Sequence, residues 1–536
     1  MPFLLDQRSM HVRKYNSSIV NYLTKRGRML GRNNNQNQKR AVIVGCGISG
    51  ASAAEELIKL GYQVIILEKN HRVGGKLKSV GNQDMGAMVL TSNYPAIDTI
   101  AKKNISVDEV LPGDDSVNFV VFGTNNPTLA EKVKYAVKLA WQYGKFALEV
   151  WRYNSTSQSL QSHAPKDHAL DFDSYAKKNN MQELANFMKI WVPGMGYGAL
   201  STNYVFRVIN YMGYGTIPSL CLGKTLFGKS LYSVHGGFQT IVEKMVSGMD
   251  VRTGVKIEKI RRLENKVIVT YSSKDSAYTN DKTEVDDNDA IGDDFDADGH
   301  SGEESVFEIE ADLLVLTMSP KYWENLGMEL THLEKECIDK LEYVRYPVAI
   351  CDIQGYPPTQ LFVPEALESD GLGHIGFIST KDKTPREDGS RRVIVYMNLA
   401  PGQDDFSLNE DCKGRQVLLS DLKKLGYGND QVRIIQTKDW KDYNPTLPYA
   451  LGIELEKKQG ESRTLYLGSY SPLSFETVAA AEKYARDTIK RVLTGEKKYF
   501  SNIVYENLNR AYTFFFKLNR QVHHEPQQVF QPKPNT

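Results

Sequence analysis

The chain has few cysteines, no long apolar run and almost no net charge, and each absence excludes something. Five cysteines, at positions 46, 221, 337, 351 and 412, are scattered through 536 residues with no C-x-x-C pair and no metal-ligand spacing. A disulfide framework and a metal site are therefore not expected, and the usage suits a reducing compartment. No uninterrupted apolar stretch approaches the ~20 residues of a membrane-spanning helix. A formal charge of +1 gives no global attraction for nucleic acid. There is no H-E-x-x-H and no arguable Ser-His-Asp set, so metal-assisted or nucleophilic hydrolysis is not indicated. Hydrophobic residues at 41% and charged residues at 24% are ordinary for a globular protein long enough for two domains.

What is present is concentrated at residues 41–75. The apolar run Ala41 to Val44 leads into Gly45-Cys46-Gly47-Ile48-Ser49-Gly50, a helical stretch follows, and a second apolar run, Val64 to Leu67, ends at Glu68-Lys69. Strand, glycine turn, helix, strand and acid at these offsets predict dinucleotide binding. The first glycine permits a tight turn, the second lets backbone approach a pyrophosphate, and the third lets the helix pack closely. The helix N-terminus offers free N–H groups to phosphate, and Glu68 lies where an acid accepts from ribose hydroxyls. Cys46, inside the turn, reads as a small filler and not as a nucleophile.

Beyond the acid comes Arg72-Val73-Gly74-Gly75-Lys76-Leu77-Lys78-Ser79. With this extension the chain resembles the FAD-dependent amine oxidase-like superfamily, whose fingerprint continues past the acid with a Gly-Gly-Arg stretch. Lys76 replaces the usual Arg, which keeps a point charge and removes the planar fork. Asp84-Met85-Gly86-Ala87 resembles the loop beside the flavin ring. His235-Gly236-Gly237-Phe238-Gln239, followed by Asp250 to Val255, resembles the Gly-Gly segment and the adenine-side strand. Leu465-Tyr466-Leu467-Gly468-Ser469, before a helical run from Glu476 to Val492, resembles the closing strand and helix.

The resemblance implies FAD, with Gly45, Cys46, Gly47, Ile48, Ser49, Gly50, Glu68, Lys69, Gly74 and Gly75 on the ADP side and Lys76 approaching phosphate or ring. It places the Val255 backbone against adenine, and Gly86, Ala87, Gly468, Thr477 and Val478 against the flavin ring. The Ser-Gly-Gly-Cys sequence that carries covalent flavin in monoamine oxidases is missing, so FAD is expected to be noncovalent. The stretch Ser471 to Ala481 has no Trp for an amine-binding aromatic cage. Gly194, Gly196, Tyr197 and Gly198, then Ile217-Pro218, then Gly236-Gly237 follow the order of the polyunsaturated fatty acid isomerase-like branch.

The fold expected is α/β: a Rossmann-type FAD-binding domain with a mostly parallel sheet, and an interleaved α+β substrate domain. The FAD domain is assigned to 39–95, 232–325 and 460–495, and the substrate domain to 96–231 and 326–459. Residues 1–38 read as a flexible basic extension, with a mitochondrial leader as the alternative to a cytoplasmic protein. Residues 274–304 read as an acidic, disordered hairpin tip, in which Asp294, Asp296 and Asp298 imitate half an EF-hand without its closing Glu. Residues 496–536 form an aromatic tail. The insert and the tail are the segments through which a protein partner would dock. A long helix is predicted over 128–153.

The expected activity is hydride transfer between noncovalent FAD and a small or lipid-like substrate. Fatty acid double-bond isomerisation, amine oxidation and a flavin-binding scaffold without turnover are the alternatives. No catalytic acid or base is identifiable. Substrate-side candidates are Tyr197, Tyr204, Phe206 and Tyr211, each of which also suits plain core packing.

Overall fold

The computed structural model describes residues 38–496 apart from 92–96, 159, 162–163, 165–166, 228–230, 274–304, 400–402 and 404–405. The basic extension, the acidic insert with its aspartates, and nearly all of the aromatic tail lie outside these residues.

The two apolar runs around the glycine turn are the strands Arg40–Val44 and Gln63–Leu67. They sit in a five-stranded sheet whose order is Thr464–Tyr466, Leu313–Leu316, Arg40–Val44, Gln63–Leu67, Asp250–Arg252, with every neighbouring pair parallel. Counted along the chain this is 5-4-1-2-3, the doubly wound order, whose direction of winding reverses between the first and fourth strands. The strands are almost continuously Val, Ile and Leu because both faces are covered. One face packs the helices Ile48–Lys59, Gln239–Val246 and Val478–Thr494, through Ala51, Leu57, Val242, Ala485 and Ile489. The other carries a three-stranded antiparallel sheet, Val255–Arg262, Val267–Ser273 and Ser305–Ala311, with Trp323 buried beneath it. Val267–Ser273 and Ser305–Ala311 are the two arms that flank the acidic insert.

The second body is an antiparallel sheet in the order Leu361–Phe362, Ile375–Ser379, Ser390–Met397, Glu342–Gln354, Val432–Thr446. Helices Leu129–Gln158, Gln182–Trp191 and Val205–Phe227 share its larger core. Helix Lys413–Lys424 packs Leu418 and Leu422 on the opposite face. The helix predicted over 128–153 thus runs further, to Gln158. Its aromatics divide: Phe146 and Tyr153 enter the core, whereas Trp141 and Trp151 lie exposed.

One buried ion pair ties the first body together. Arg262 Nη1 lies 2.6 Å from Glu334 Oε1, and Tyr466 Oη donates to the same oxygen at 2.8 Å. Thr331 and Glu334 also complete a capping box at the start of helix His332–Asp339. Burial pushes the Glu334 carboxyl up, but Arg262, the Thr331 N–H and Tyr466 outweigh it and hold it below the ordinary glutamate range. Glu334→Ala leaves the largely buried Arg262 without its carboxylate, with only the Glu329 carbonyl and the Tyr466 hydroxyl as partners, and should cost about 3 kcal/mol in urea unfolding near neutral pH. Because the folded-state value is lowered, this contribution is complete above about pH 4.3 and fades as pH falls through the depressed value. The difference between wild type and variant should therefore shrink in acid.

Candidate functional site

The site begins where strand Arg40–Val44 ends. Gly45 turns the chain at φ +102°, and a Cβ there would lie 2.4 Å from Thr317 Oγ1, at the carboxyl end of the neighbouring strand. A Cβ on Gly50 would stand 2.1 Å from the Gly45 carbonyl oxygen, so only glycine lets the helix start so close to the turn. Gly47 caps helix Ile48–Lys59 without a side-chain hydrogen bond, and no acid occupies its first turn. The leading N–H groups and the positive end of the dipole are thereby left for an anion.

Glu68 holds the turn from the next strand. It is buried; its Oε2 accepts from the Cys46 N–H at 2.7 Å, and its Oε1 accepts from the Asn70 N–H and Nδ2, both at 2.9 Å. The Val255 N–H donates to the Glu68 carbonyl at 3.1 Å. Cys46 is fully buried, and burial, with Glu68 beside it, pushes its thiol well up, which removes it as a nucleophile.

These residues open onto a cavity of about 560 Å³ at the carboxyl ends of the parallel strands. Gly45, Gly47, Ile48, Ser49, Glu68, Lys69, Gly74, Gly75, Lys76, Ala87, Val255, Gly468, Thr477 and Val478 line it. Cys46 and Gly50 lie behind this wall. A second cavity of about 50 Å³ abuts the first, sharing Ala87, Tyr443 and Thr477. Gly86, Tyr197 and Tyr211 line it, together with Met88, Trp191 and Met195. Tyr204 and Phe206 line neither: their rings stack 5.5 Å apart, Phe206 is buried in the core, and Tyr204 Oη bonds Glu342 at 3.0 Å.

The wall opposite the glycine turn is the segment Gly468–Thr477. Thr477 caps helix Val478–Thr494, accepting from the Ala480 N–H at 3.1 Å, and Thr477, Val478 and Ala481 of this N-terminus line the cavity. Lys76 crosses toward it, donating to the Asp442 carbonyl at 2.7 Å and lying 3.3 Å from Glu476. The Asp84–Ala87 loop is pinned from the other body: Tyr396 Oη donates to the Asp84 carbonyl at 2.6 Å and Trp440 Nε1 to the Met85 carbonyl at 2.7 Å. Asp84 itself is buried and takes Lys381 and Ser79, each at 2.6 Å, although burial keeps its carboxyl raised.

A family model described as flavin containing amine oxidoreductase matches residues 48–470. The chain belongs to this family. An L-amino-acid oxidase of Sistrurus catenatus edwardsii is 30% identical over 165 residues, 28% of this chain and 31% of that protein. One from Siganus canaliculatus is 22% identical over 263 residues, 45% of this chain and 47% of that protein. The chain thus matches about a third to a half of the length of these curated relatives. Among solved structures, a CLA-producing fatty acid isomerase from P. acnes superposes with TM-score 0.64 at 20% identity, covering 85% of this chain and 98% of that one. A putrescine oxidase gives 0.58 at 14%, with 85% and 99% covered. At these identities the superpositions establish the fold alone.

Membership in the flavin containing amine oxidoreductase family implies a flavin, and the residues present fit one. Neither Gly45 nor Gly50 admits a Cβ, the helix N-terminus has no side-chain cap, and the Ser319 hydroxyl on the cavity wall is buried without a partner among the described residues. Thr317 and Ser319 follow a parallel strand at the switch point, a signal that strand order would have revealed. Lys438, Trp440 and Tyr443, also on the wall, come from a distant strand with no local motif.

Arg207 is the main residue that sequence reasoning missed. It is 1% exposed. Its Nη1 donates to the carbonyls of Ser469 (2.8 Å) and Ser474 (3.1 Å), and its Nη2 to Asn444 Oδ1 (2.6 Å). Burial lowers its pKa to about 10, leaving it charged. Arg207→Met should cost about 3 kcal/mol or more in unfolding, because buried carbonyls lose their donor. Arg207→Lys should not restore it, since an ammonium cannot span the fork. Both variants are expected to release flavin on gel filtration more readily than wild type.

Proposed function

We propose that the protein is an oxidoreductase that holds FAD noncovalently and transfers hydride between it and a small, apolar or lipid-like substrate. The ADP part would lie between the Gly45–Gly50 turn, Glu68 and Val255. The ring would lie against Gly86, Ala87, Gly468, Thr477 and Val478. When bound, the flavin supplies the hydride-accepting and hydride-donating chemistry. The chain's residues bind, orient and exclude water. The N-terminus of helix Val478–Thr494 favours negative charge at its end of the cavity.

The observation that carries the substrate reading is the second cavity. At about 50 Å³ it takes only part of a substrate, and its described walls are mostly apolar and aromatic, with Thr216 and Thr477 the polar side chains besides the tyrosine hydroxyls and no charged side chain among the described residues. An amino-acid carboxylate enclosed there would lose its hydration without a cation to replace it. The hydrocarbon part of a fatty acid loses no polar hydration by entering, its carboxylate staying outside this chamber. Isomerisation of a polyunsaturated fatty acid, in which hydride leaves one carbon and returns to another, fits this wall and needs no external oxidant. Amine oxidation is the second reading, favoured by the packed rings of Tyr197, Tyr211 and Phe475, centroids 4.8–4.9 Å apart, because aromatic faces attract an ammonium.

The purified protein should show a flavin absorbance spectrum, and digestion should leave no flavin on any peptide. Anaerobic incubation with a polyunsaturated fatty acid should yield a conjugated diene or triene without oxygen uptake. Bleaching by putrescine or an L-amino acid, with no change to fatty acids, would reverse the order of the two readings. A bound flavin that no candidate alters would leave the scaffold in their place. Glu68→Ala should weaken FAD binding roughly ten- to a hundredfold by titration, as loss of charge-assisted hydrogen bonds requires. Unchanged affinity would remove Glu68 from its role.

A further inference from the structure

Helix Leu129–Gln158 buries one face and leaves the opposite one uncovered by any described residue. Leu139, Phe146, Val150 and Tyr153 enter the core. On the outward side, Leu129, Val133, Val137 and Trp141 recur four residues apart, and Leu148 continues their arc. Leu129 is 78% exposed, Val137 66% and Trp141 70%. At 1.5 Å per residue the stripe extends about 28 Å. The positions between its members on that arc are small and uncharged, Ala140 and Gly144 among them. A soluble surface seldom presents so long an apolar row.

The charges on the helix are arranged to match. Lys134, Lys138 and Lys145 run down one border of the stripe; the exposed Glu131 and the half-buried Glu149 lie just beyond the lysines, on the side away from the stripe. Lys138 pairs with Glu183 of the neighbouring helix at 2.6 Å, and Lys145 reaches back over the Trp141 ring, 6.0 Å from its centroid. The helix carries five basic residues against two acidic ones. No described helix is long and apolar enough to cross a membrane.

We propose that this face docks the protein on an anionic lipid bilayer, with the helix lying in the plane of the interface. Leu129, Val133, Val137, Trp141 and Leu148 enter the boundary between headgroups and acyl chains. The lysine border meets the anionic headgroups, and the indole sits where one edge is apolar and the other wet. The proposal rests on this helix alone and stands whatever the substrate is.

The full-length protein is mixed with sedimentable vesicles of phosphatidylcholine, with and without about one part phosphatidylserine in three, and the bound fraction is measured. Binding should be strong with phosphatidylserine, weak without it, and lowered by salt. Val137→Glu with Trp141→Glu should reduce binding roughly tenfold or more. Lys134→Glu with Lys145→Glu should abolish the preference for phosphatidylserine. The altered side chains of the first pair point outward, so circular dichroism and the flavin spectrum report that the fold is intact. Failure of wild type to bind either vesicle, or binding unaffected by Val137→Glu with Trp141→Glu, would overturn the proposal. So would a concentration-dependent dimer that this pair of changes dissolves, since the face would then join two copies of the chain.

Discussion

The candidate site depends on two stretches of backbone that lie in direct contact, with little room for side chains between them. The turn Gly45–Gly50 and the loop Gly74–Gly75 lie against each other: the Gly74 N–H donates to the Cys46 carbonyl at 2.8 Å, and a Cβ on Gly75 would stand 3.2 Å from the Gly47 Cα. Gly74 and Gly75 both take positive φ, at +115° and +58°, a region other residues enter at a cost. This contact sets the mouth of the cavity. Glu68 can reach the Cys46 N–H only because the turn is held in place, and Lys76 is delivered toward the opposite wall because the loop leaves Gly75 in that direction.

The far wall depends on a different kind of restraint. Segment Gly468–Thr477 is held by side chains from the second body: Arg207, Asn210 with the Ser474 carbonyl at 3.1 Å, and Tyr197 with the Glu476 carbonyl at 3.1 Å. Trp440 and Tyr396 do the same for the Asp84–Ala87 loop. Each wall that the proposed ring position needs is thus tied across the boundary between the two sheets by hydrogen bonds to buried carbonyls. Charged residues, among them Glu68, Lys69, Lys76, Lys438 and Glu476, line the wide cavity; the described lining of the narrow one has none and is mostly apolar and aromatic. Such a division suits a cofactor carrying phosphates at one end and an apolar reaction chamber at the other.

The glycine turn, Glu68 and the closing helix were legible because their signals are local: fixed offsets within a few residues, or a helix start after an apolar strand. The parallel sheet follows from them. Thr317, Ser319 and the strand Val432–Thr446 were not legible, since their place on the wall comes from strand order and from pairing with Glu342–Gln354, contacts made across hundreds of residues or between runs without clear alternation. Arg207 lies in an apolar, tyrosine-rich stretch, and nothing beside it signals that its two terminal nitrogens donate to carbonyl oxygens more than two hundred residues away. Tyr204 and Phe206 show the opposite failure. Aromatic density near the cavity-lining Tyr197 and Tyr211 was a poor guide, because Tyr204, ahead of helix Val205–Phe227, bonds Glu342 and the Phe206 ring packs into the core.

The most direct test of the account is equilibrium binding of FAD to the flavin-free protein, followed by flavin fluorescence, with ADP and FMN as competitors. If the turn, Glu68 and Val255 hold the ADP half, ADP should displace FAD and FMN alone should bind far more weakly. FMN binding as tightly as FAD, with ADP unable to compete, would contradict the assignment of the glycine cradle.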